Sequence, residues 1–124
     1  MTSPLALILY ESLLPGSALG NKLRDQGYRI QHVTDAGTLA TIAERERPLV
    51  VFVDLDLKNS DPFAAIKSLK TTTGTAHLPI LAFSSPRHEK LQADALAAGA
   101  TLIASDESIL AQLPAMLDQA MVVE

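Results

Sequence analysis

The sequence contains no cysteine and little positive charge. Without cysteine, disulfides, thiolate metal sites and thiol nucleophiles are all excluded. Lys and Arg number 10 against 14 Asp and Glu, which gives a net charge of −4 at pH 7. Because the basic residues are scattered and form no stripe along the chain, we expect no direct binding to DNA or RNA.

Long apolar runs are missing as well. No stretch approaches the roughly 18 consecutive apolar residues that a membrane-spanning helix needs. The apolar start of the chain carries no Lys or Arg before Lys22, whereas a secretory signal needs a basic start and a small-residue cleavage site. We therefore expect a soluble, cytoplasmic protein without membrane contact. Its 124 residues, 48% of them hydrophobic, fit one domain over residues 1–124 with a sizeable core.

Apolar runs of strand length alternate with helical patterns along the whole chain. Strands are predicted over residues 5–10, 29–33, 49–53, 78–83 and 101–104. After each run, apolar residues recur at helical spacing. Gly27 is placed to end the first helix in a left-handed conformation. Pro114 lies inside the last helical pattern, where it should kink the helix or delay its start.

This alternation predicts an α/β fold of three layers, α/β/α, with a parallel sheet between two layers of helices. Because crossover connections are right-handed, few topologies remain. We predict a five-stranded sheet in the order 2-1-3-4-5, the flavodoxin-like arrangement. The second strand is the more polar one, which places it near an edge of the sheet.

In such a sheet, ligands bind beyond the carboxyl ends of the strands, where the strand order reverses between strands one and three. The residues that directly follow the strands are therefore the candidates for a site, and they are rich in carboxylates and hydroxyls. They are Tyr10, Glu11 and Ser12; Asp54, Leu55 and Asp56; Ser84 and Ser85; and Ser105 and Asp106.

These side chains suit phosphoryl chemistry. The Asp54 carboxylate could attack phosphorus and form an acyl phosphate. The attack brings two anions together, so a Mg²⁺ ion held by carboxylate and carbonyl oxygens must neutralise them, and Glu11 is the candidate ligand. Ser84 offers a hydroxyl to a phosphoryl oxygen. A cation should hold another oxygen, yet none follows the fifth strand.

Three stretches of the chain resemble the receiver domains of bacterial response regulators. Residues 48–57 look like the family's third strand and phosphoacceptor aspartate. Residues 78–85 look like its fourth strand and switch hydroxyl, and residues 95–100 like the turn before its fifth strand. Together they extend the resemblance over nearly the whole chain.

The resemblance implies a role for four residues. Asp54 matches the phosphoacceptor, and Ser84 matches the hydroxyl that contacts the phosphoryl group. Asp54, Glu11 and the backbone carbonyl of Asp56 match the ligands of Mg²⁺, which we expect to bind weakly. Apart from this ion, no cofactor is expected.

The chain departs from the family pattern at three places. The acidic pair after the first strand is only half present, as Tyr10-Glu11 or Glu11-Ser12. Ser105 or Asp106 stands where the family has a lysine. Leu102 or Ile103 replaces the aromatic switch residue of the fifth strand. Lys58, four residues after Asp54, is the nearest candidate substitute for the missing cation.

Three functional hypotheses follow. The departures favour a degenerate receiver of a two-component phosphorelay that acts mainly through protein–protein interaction, with impaired or absent phosphorylation of Asp54. The alternative is an authentic phosphoacceptor that a histidine kinase phosphorylates at Asp54. A flavodoxin-like domain that binds a small ligand ranks last, since the sequence lacks a glycine-rich phosphate loop.

The family resemblance also indicates where partners bind. It implies that a histidine kinase or a downstream effector contacts the face formed by helix four, strand five and helix five. A homodimer could form through the same face. We expect no enzymatic activity from the domain itself.

Overall fold

The computed structural model describes residues 4–10, 13–57, 61–84 and 89–122. The apolar runs of the sequence form five parallel strands in the order β2-β1-β3-β4-β5, as predicted. The strands are β1 (Leu5–Leu9), β2 (Arg29–Val33), β3 (Val50–Asp54), β4 (Ile80–Ser84) and β5 (Leu102–Ser105). Their ends differ from the predicted ones by no more than one or two residues.

Helices follow each of the strands. They are α1 (Leu13–Asp25), α2 (Leu39–Glu46), α3 (Pro62–Thr71), α4 (Glu89–Ala98), α5 (Asp106–Ala111) and α6 (Leu113–Val122), and a short 3-10 turn, Ala36–Thr38, precedes α2. Among the residues described, no helix combines the length and the apolar character needed to cross a membrane.

Alternate residues of the central strands face opposite helix layers. Val51 and Val53 of β3 pack with α2, α3 and α4, in what we name the α2–α4 core. Val50 and Phe52 pack with α1, α5 and α6, in the α1–α5–α6 core. Since both faces of the sheet are buried, the central strands are apolar at every position, which is the pattern that predicted them.

The second strand lies at one edge of the sheet, as its polarity predicted. Arg29 and His32 of β2 are exposed, whereas Val33 is buried. Its backbone pairs with β1 alone, in a register that sets Leu9 opposite Val33.

Pro114 divides the last predicted helix in two. One helix ends at Ala111 and the next begins at Leu113, which makes Pro114 the second residue of α6. Because proline has no N–H, it cannot donate the hydrogen bond that would continue α5. The sequence predicted a kink or a delayed start at Pro114, and the structure has a break between α5 and α6 there. Leu113 and Leu117 are buried in the α1–α5–α6 core.

The first helix includes the Pro15-Gly16 pair in its first turn, because α1 begins at Leu13. Pro15 therefore lies in the first turn, where backbone N–H groups have no partner within the helix and a missing N–H costs no hydrogen bond.

Carboxylate caps fix the starts of two other segments. Asp35 accepts the Gly37 N–H at 2.9 Å and begins the 3-10 turn. Asp61 precedes α3 and accepts the Phe63 and Ala64 N–H groups at 2.9 and 3.2 Å. Such caps contribute about 1 kcal/mol each.

Two glycines end helices with positive φ. Gly27 follows α1 with φ 91°, which confirms the left-handed conformation predicted for it, and Gly99 follows α4 with φ 122°. Gly99 also lies against Lys70, whose Cγ would be 2.7 Å from a Cβ added at Gly99. Lys70 Nζ donates to the carbonyls of Ala76 and Leu78 at 3.3 and 2.9 Å, and burial lowers the pKa of its ammonium group.

We predict that Gly99→Ala lowers the free energy of unfolding, measured by urea denaturation. The unusual φ alone costs about 1–3 kcal/mol, and the contact with Lys70 adds to it. Gly27→Ala is the matched control, because a Cβ there meets nothing within 4 Å. An equal loss in the two variants would show that the Lys70 contact is unimportant.

Candidate functional site

The sheet places Asp54 at the carboxyl end of β3, beside the point where the strand order reverses. Asp54 is the last residue of this strand and lies opposite Phe83 of β4. Only 4% of it is exposed. A buried carboxylate needs hydrogen-bond donors to offset the loss of water. One of them is the Asp56 N–H, which donates to Asp54 Oδ1 at 2.9 Å.

The two residues after Asp54 turn the chain away from the strand. The Leu55 N–H donates to the Phe83 carbonyl at 2.8 Å, and Leu55 itself is buried. The half-buried Asp56 follows, and its backbone N–H is committed to Asp54. The turn thus keeps Asp56 beside Asp54. A metal-ligand role for the Asp56 carbonyl remains a prediction.

Ser84 stands at the carboxyl end of the neighbouring strand β4. It is fully buried, in contrast to most serines. Gln92 of α4 donates from Nε2 to Ser84 Oγ at 3.2 Å. Ser84 and Asp54 therefore lie at the same edge of the sheet on adjacent strands, as their positions in the sequence predicted.

At the end of β5 a serine stands where the family resemblance implies a lysine. The register sets Ser105 opposite Ser84. Its hydroxyl caps α5 by accepting the Ser108 N–H at 3.1 Å and bonds Ser108 Oγ at 2.9 Å. Asp106, the other candidate for this position, is the first residue of α5. No cation from β5 therefore lies opposite Ser84.

The aromatic switch residue of the family has no counterpart on β5. Leu102 and Ile103 are half-buried and face opposite sides, Leu102 toward the α1–α5–α6 core and Ile103 toward the α2–α4 core. Neither side chain can donate or accept a hydrogen bond. Because neither residue is aromatic, they offer no polar ring to which a hydroxyl at the end of β4 could form a hydrogen bond.

Tyr10 occupies the carboxyl end of β1. It is buried, and its N–H donates to the Val33 carbonyl at 3.0 Å. Its ring stacks on His32 of the edge strand, with centroids 3.7 Å apart and ring planes at 16°. His32 Nε2 lies 3.0 Å from the Tyr10 carbonyl. The ring thus packs toward β2. Tyr10 is one of the two residues that could match the first member of the family's acidic pair, so an aromatic side chain stands at that position.

Sequence reasoning missed both the Tyr10–His32 stack and the Gln92–Ser84 bond. The stacked pair is 22 residues apart in the chain, so only the register of β1 and β2 brings it together. For Gln92 only one sequence feature indicated a contact with the core: it lies next to the apolar stripe that Leu91 and Ala95 form on the fourth helix.

Some predicted residues fall outside the described part of the chain. They are Glu11, Ser12, Lys58 and Ser85, together with the side chain of Asp106. Within the described residues, no three or more His, Asp or Glu form a group that could hold a metal ion. The predicted Mg²⁺ ligand set includes Glu11, so it extends beyond those residues.

The comparisons with known proteins agree with the predicted fold. No model of a protein family matches the sequence, and neither does any curated protein sequence. Solved structures match over almost the whole chain. The receiver domain of a sensor histidine kinase from Pseudomonas aeruginosa, which has magnesium coordinated in its active site cleft, is 20% identical with a TM-score of 0.87. The match covers 98% of this chain and 100% of that one.

Two further structures show the same similarity. The receiver domain of NtrX from Brucella abortus is 19% identical with a TM-score of 0.85, covering 96% of this chain and 99% of that one. The response regulator domain of Thermotoga maritima CheB is 18% identical with a TM-score of 0.82, covering 99% of each chain. The chain therefore has the flavodoxin-like fold of response-regulator receiver domains, which the sequence resemblance predicted.

Proposed function

We propose that this chain is a receiver-like domain of two-component signalling that acts mainly through protein–protein interaction, with phosphorylation of Asp54 impaired or absent. The observation that carries the proposal is the composition of the sheet's carboxyl edge. A buried carboxylate and a buried hydroxyl end adjacent strands, but Ser105 ends the next strand without a cation. The proposed role involves no enzymatic turnover, and we place the domain in the cytoplasm.

The missing cation weakens any phosphorylated state. A phosphoryl group would add negative charge beside the buried Asp54, where charges are poorly screened. A charge-assisted hydrogen bond contributes roughly 1.5–3 kcal/mol. Its absence at Ser105 is therefore expected to weaken the phosphorylated state by a factor of about ten to a hundred.

Mg²⁺ would compensate part of this charge. Carboxylate and carbonyl oxygens are the ligands that this ion prefers. Asp54, Glu11 and the Asp56 carbonyl would hold it in this chain, as a magnesium ion is held in the cleft of the Pseudomonas aeruginosa receiver. When bound, the ion would neutralise the acceptor and the incoming phosphoryl group. With Tyr10 in place of one acidic residue, we expect weak binding.

The face formed by α4, β5 and α5 is the proposed contact for a protein partner. Leu96 of α4 is 55% exposed, more than is usual for a leucine. Ala93 and Ala97 are exposed on the same helix. This smooth apolar surface suits a histidine kinase, a downstream effector or a second copy of the chain.

An authentic phosphoacceptor is the second candidate. It is favoured by the placement of Asp54 and Ser84 at adjacent strand ends, which keeps a nucleophile and a phosphoryl-contacting hydroxyl together. Under this reading a histidine kinase phosphorylates Asp54, and the α4 face changes its affinity for partners.

Amide NMR spectra with Mg²⁺ and beryllofluoride, a phosphoryl mimic, separate the two candidates. The proposal predicts small shifts that do not saturate at high reagent concentration, because β5 offers no cation to the bound mimic and Tyr10 stands at one candidate position for an acidic residue. Asp54→Asn is the control, since its amide oxygen can still accept the Asp56 N–H. Saturating, Mg²⁺-dependent shifts at Asp54, Ser84 and α4 that this control lacks would overturn the proposal.

Restoring the cation should restore part of the response. We predict that Ser105→Lys raises the apparent affinity for beryllofluoride by about tenfold or more, because it adds a charge-assisted donor opposite Ser84. The same change removes the α5 cap, at a cost of about 1 kcal/mol of stability. Gln112→Lys, an exposed position with the same change of charge, is the matched control. Equal affinities in the two variants would show that the missing cation does not limit the site.

A further inference from the structure

A hydrogen bond ties the fourth helix directly to the end of the fourth strand. Gln92, the fourth residue of α4, is half-buried, and its Nε2 donates to the Oγ of the fully buried Ser84 at 3.2 Å. The bond joins two elements that are consecutive in the chain, so it fixes the amino-terminal half of α4 relative to the sheet.

Other attachments of α4 to the core are few and small. Ala95 is its one fully buried residue among those described, and Leu91 and Ala98 are only partly buried in the α2–α4 core. Leu96, the other leucine of the helix, faces solvent. Hydrophobic stabilisation grows with the apolar area removed from water. A helix whose apolar contacts come from two alanines and part of a leucine depends correspondingly more on a single polar contact.

The hydrogen-bonding capacity of the Gln92 and Ser84 side chains fixes which one donates. A serine hydroxyl has one hydrogen and can accept at two lone pairs, whereas the NH₂ of a carboxamide only donates. The Gln92 NH₂ therefore occupies an acceptor position of Ser84. Rotating α4 away would leave a polar group of a half-buried side chain without this partner, which is unfavourable.

We propose that Gln92 is a positioning residue whose bond to Ser84 holds α4 in one arrangement, so that the Leu96 surface is presented to a protein partner without phosphorylation. The inference rests on the proposed function, because it takes the α4 face as the partner site. It adds that this face is fixed by the fold and is not switched from Asp54. Leu102 and Ile103 of β5, being aliphatic, cannot form such a polar contact with Ser84.

Amide hydrogen exchange of α4, measured without Mg²⁺ or phosphoryl reagents, tests the inference through a double-mutant cycle. Gln92→Met keeps the length of the side chain and removes the donor, and Ser84→Ala removes the acceptor. Each is expected to speed exchange of the α4 amides about fivefold, the factor that one net hydrogen bond contributes. The double variant should exchange no faster than Ser84→Ala alone, because Ser84→Ala already removes the bond that Gln92→Met breaks.

A spectroscopic signature distinguishes positioning from general destabilisation. Ser84→Ala should shift the side-chain NH₂ resonances of Gln92 and leave those of the exposed Gln119 unchanged. Lys90→Met, at an exposed position of the same helix, is the control for the substitution itself and should leave α4 exchange unchanged. If Ser84→Ala fails to fold, Gln92→Met and Lys90→Met still decide the question.

Unchanged α4 exchange in Gln92→Met, or additive effects in the double variant, would overturn the inference. Neither result depends on the chemistry of Asp54. If α4 exchange is unchanged and beryllofluoride still gives no saturating response, the role of Gln92 is wrong but the proposed function stands. If the domain responds fully to beryllofluoride, the proposed function is wrong, whether or not Gln92 holds α4.

Discussion

The burial of the Asp54 carboxylate at the end of a strand covered on both faces is the constraint on which the site depends. Water reaches little of this group, so its charge must be offset by donors that the fold supplies, among them the Asp56 N–H. The same burial makes any additional negative charge costly. We propose that, without a cation on β5, the site stabilises a phosphorylated carboxylate poorly.

The neighbouring groups have taken structural roles that a phosphoryl site would not require. Ser105 caps α5, and Tyr10 stacks on His32 of the edge strand. Ser84 bonds Gln92 and so connects the sheet to a helix with few apolar contacts. Each of these interactions stabilises one arrangement of the carboxyl edge. They support the proposal that the α4 face is fixed by the fold and is not switched from Asp54.

Much of the fold could be predicted from the sequence because its causes are local. Continuous apolar runs indicate strands buried on both faces, and Asp35, Asp61 and Pro114 mark where helical segments begin. The site was predictable only in part. Topology alone placed Asp54 and Ser84 at one edge, whereas the contacts of Tyr10 and Gln92 depend on strand register and helix orientation, which no local pattern encodes. Glu11 lies outside the described residues, and its role as a ligand stays a prediction.

We propose that Asp54 is a phosphoacceptor-type residue in a site that stabilises a phosphoryl group poorly. Intact mass spectrometry after incubation with acetyl phosphate and Mg²⁺ tests it most directly, because it counts phosphoryl groups on the protein itself. We expect the unmodified protein to predominate, with at most a minor phosphorylated fraction. Near-complete addition of a single phosphoryl group, abolished by Asp54→Asn, would contradict it.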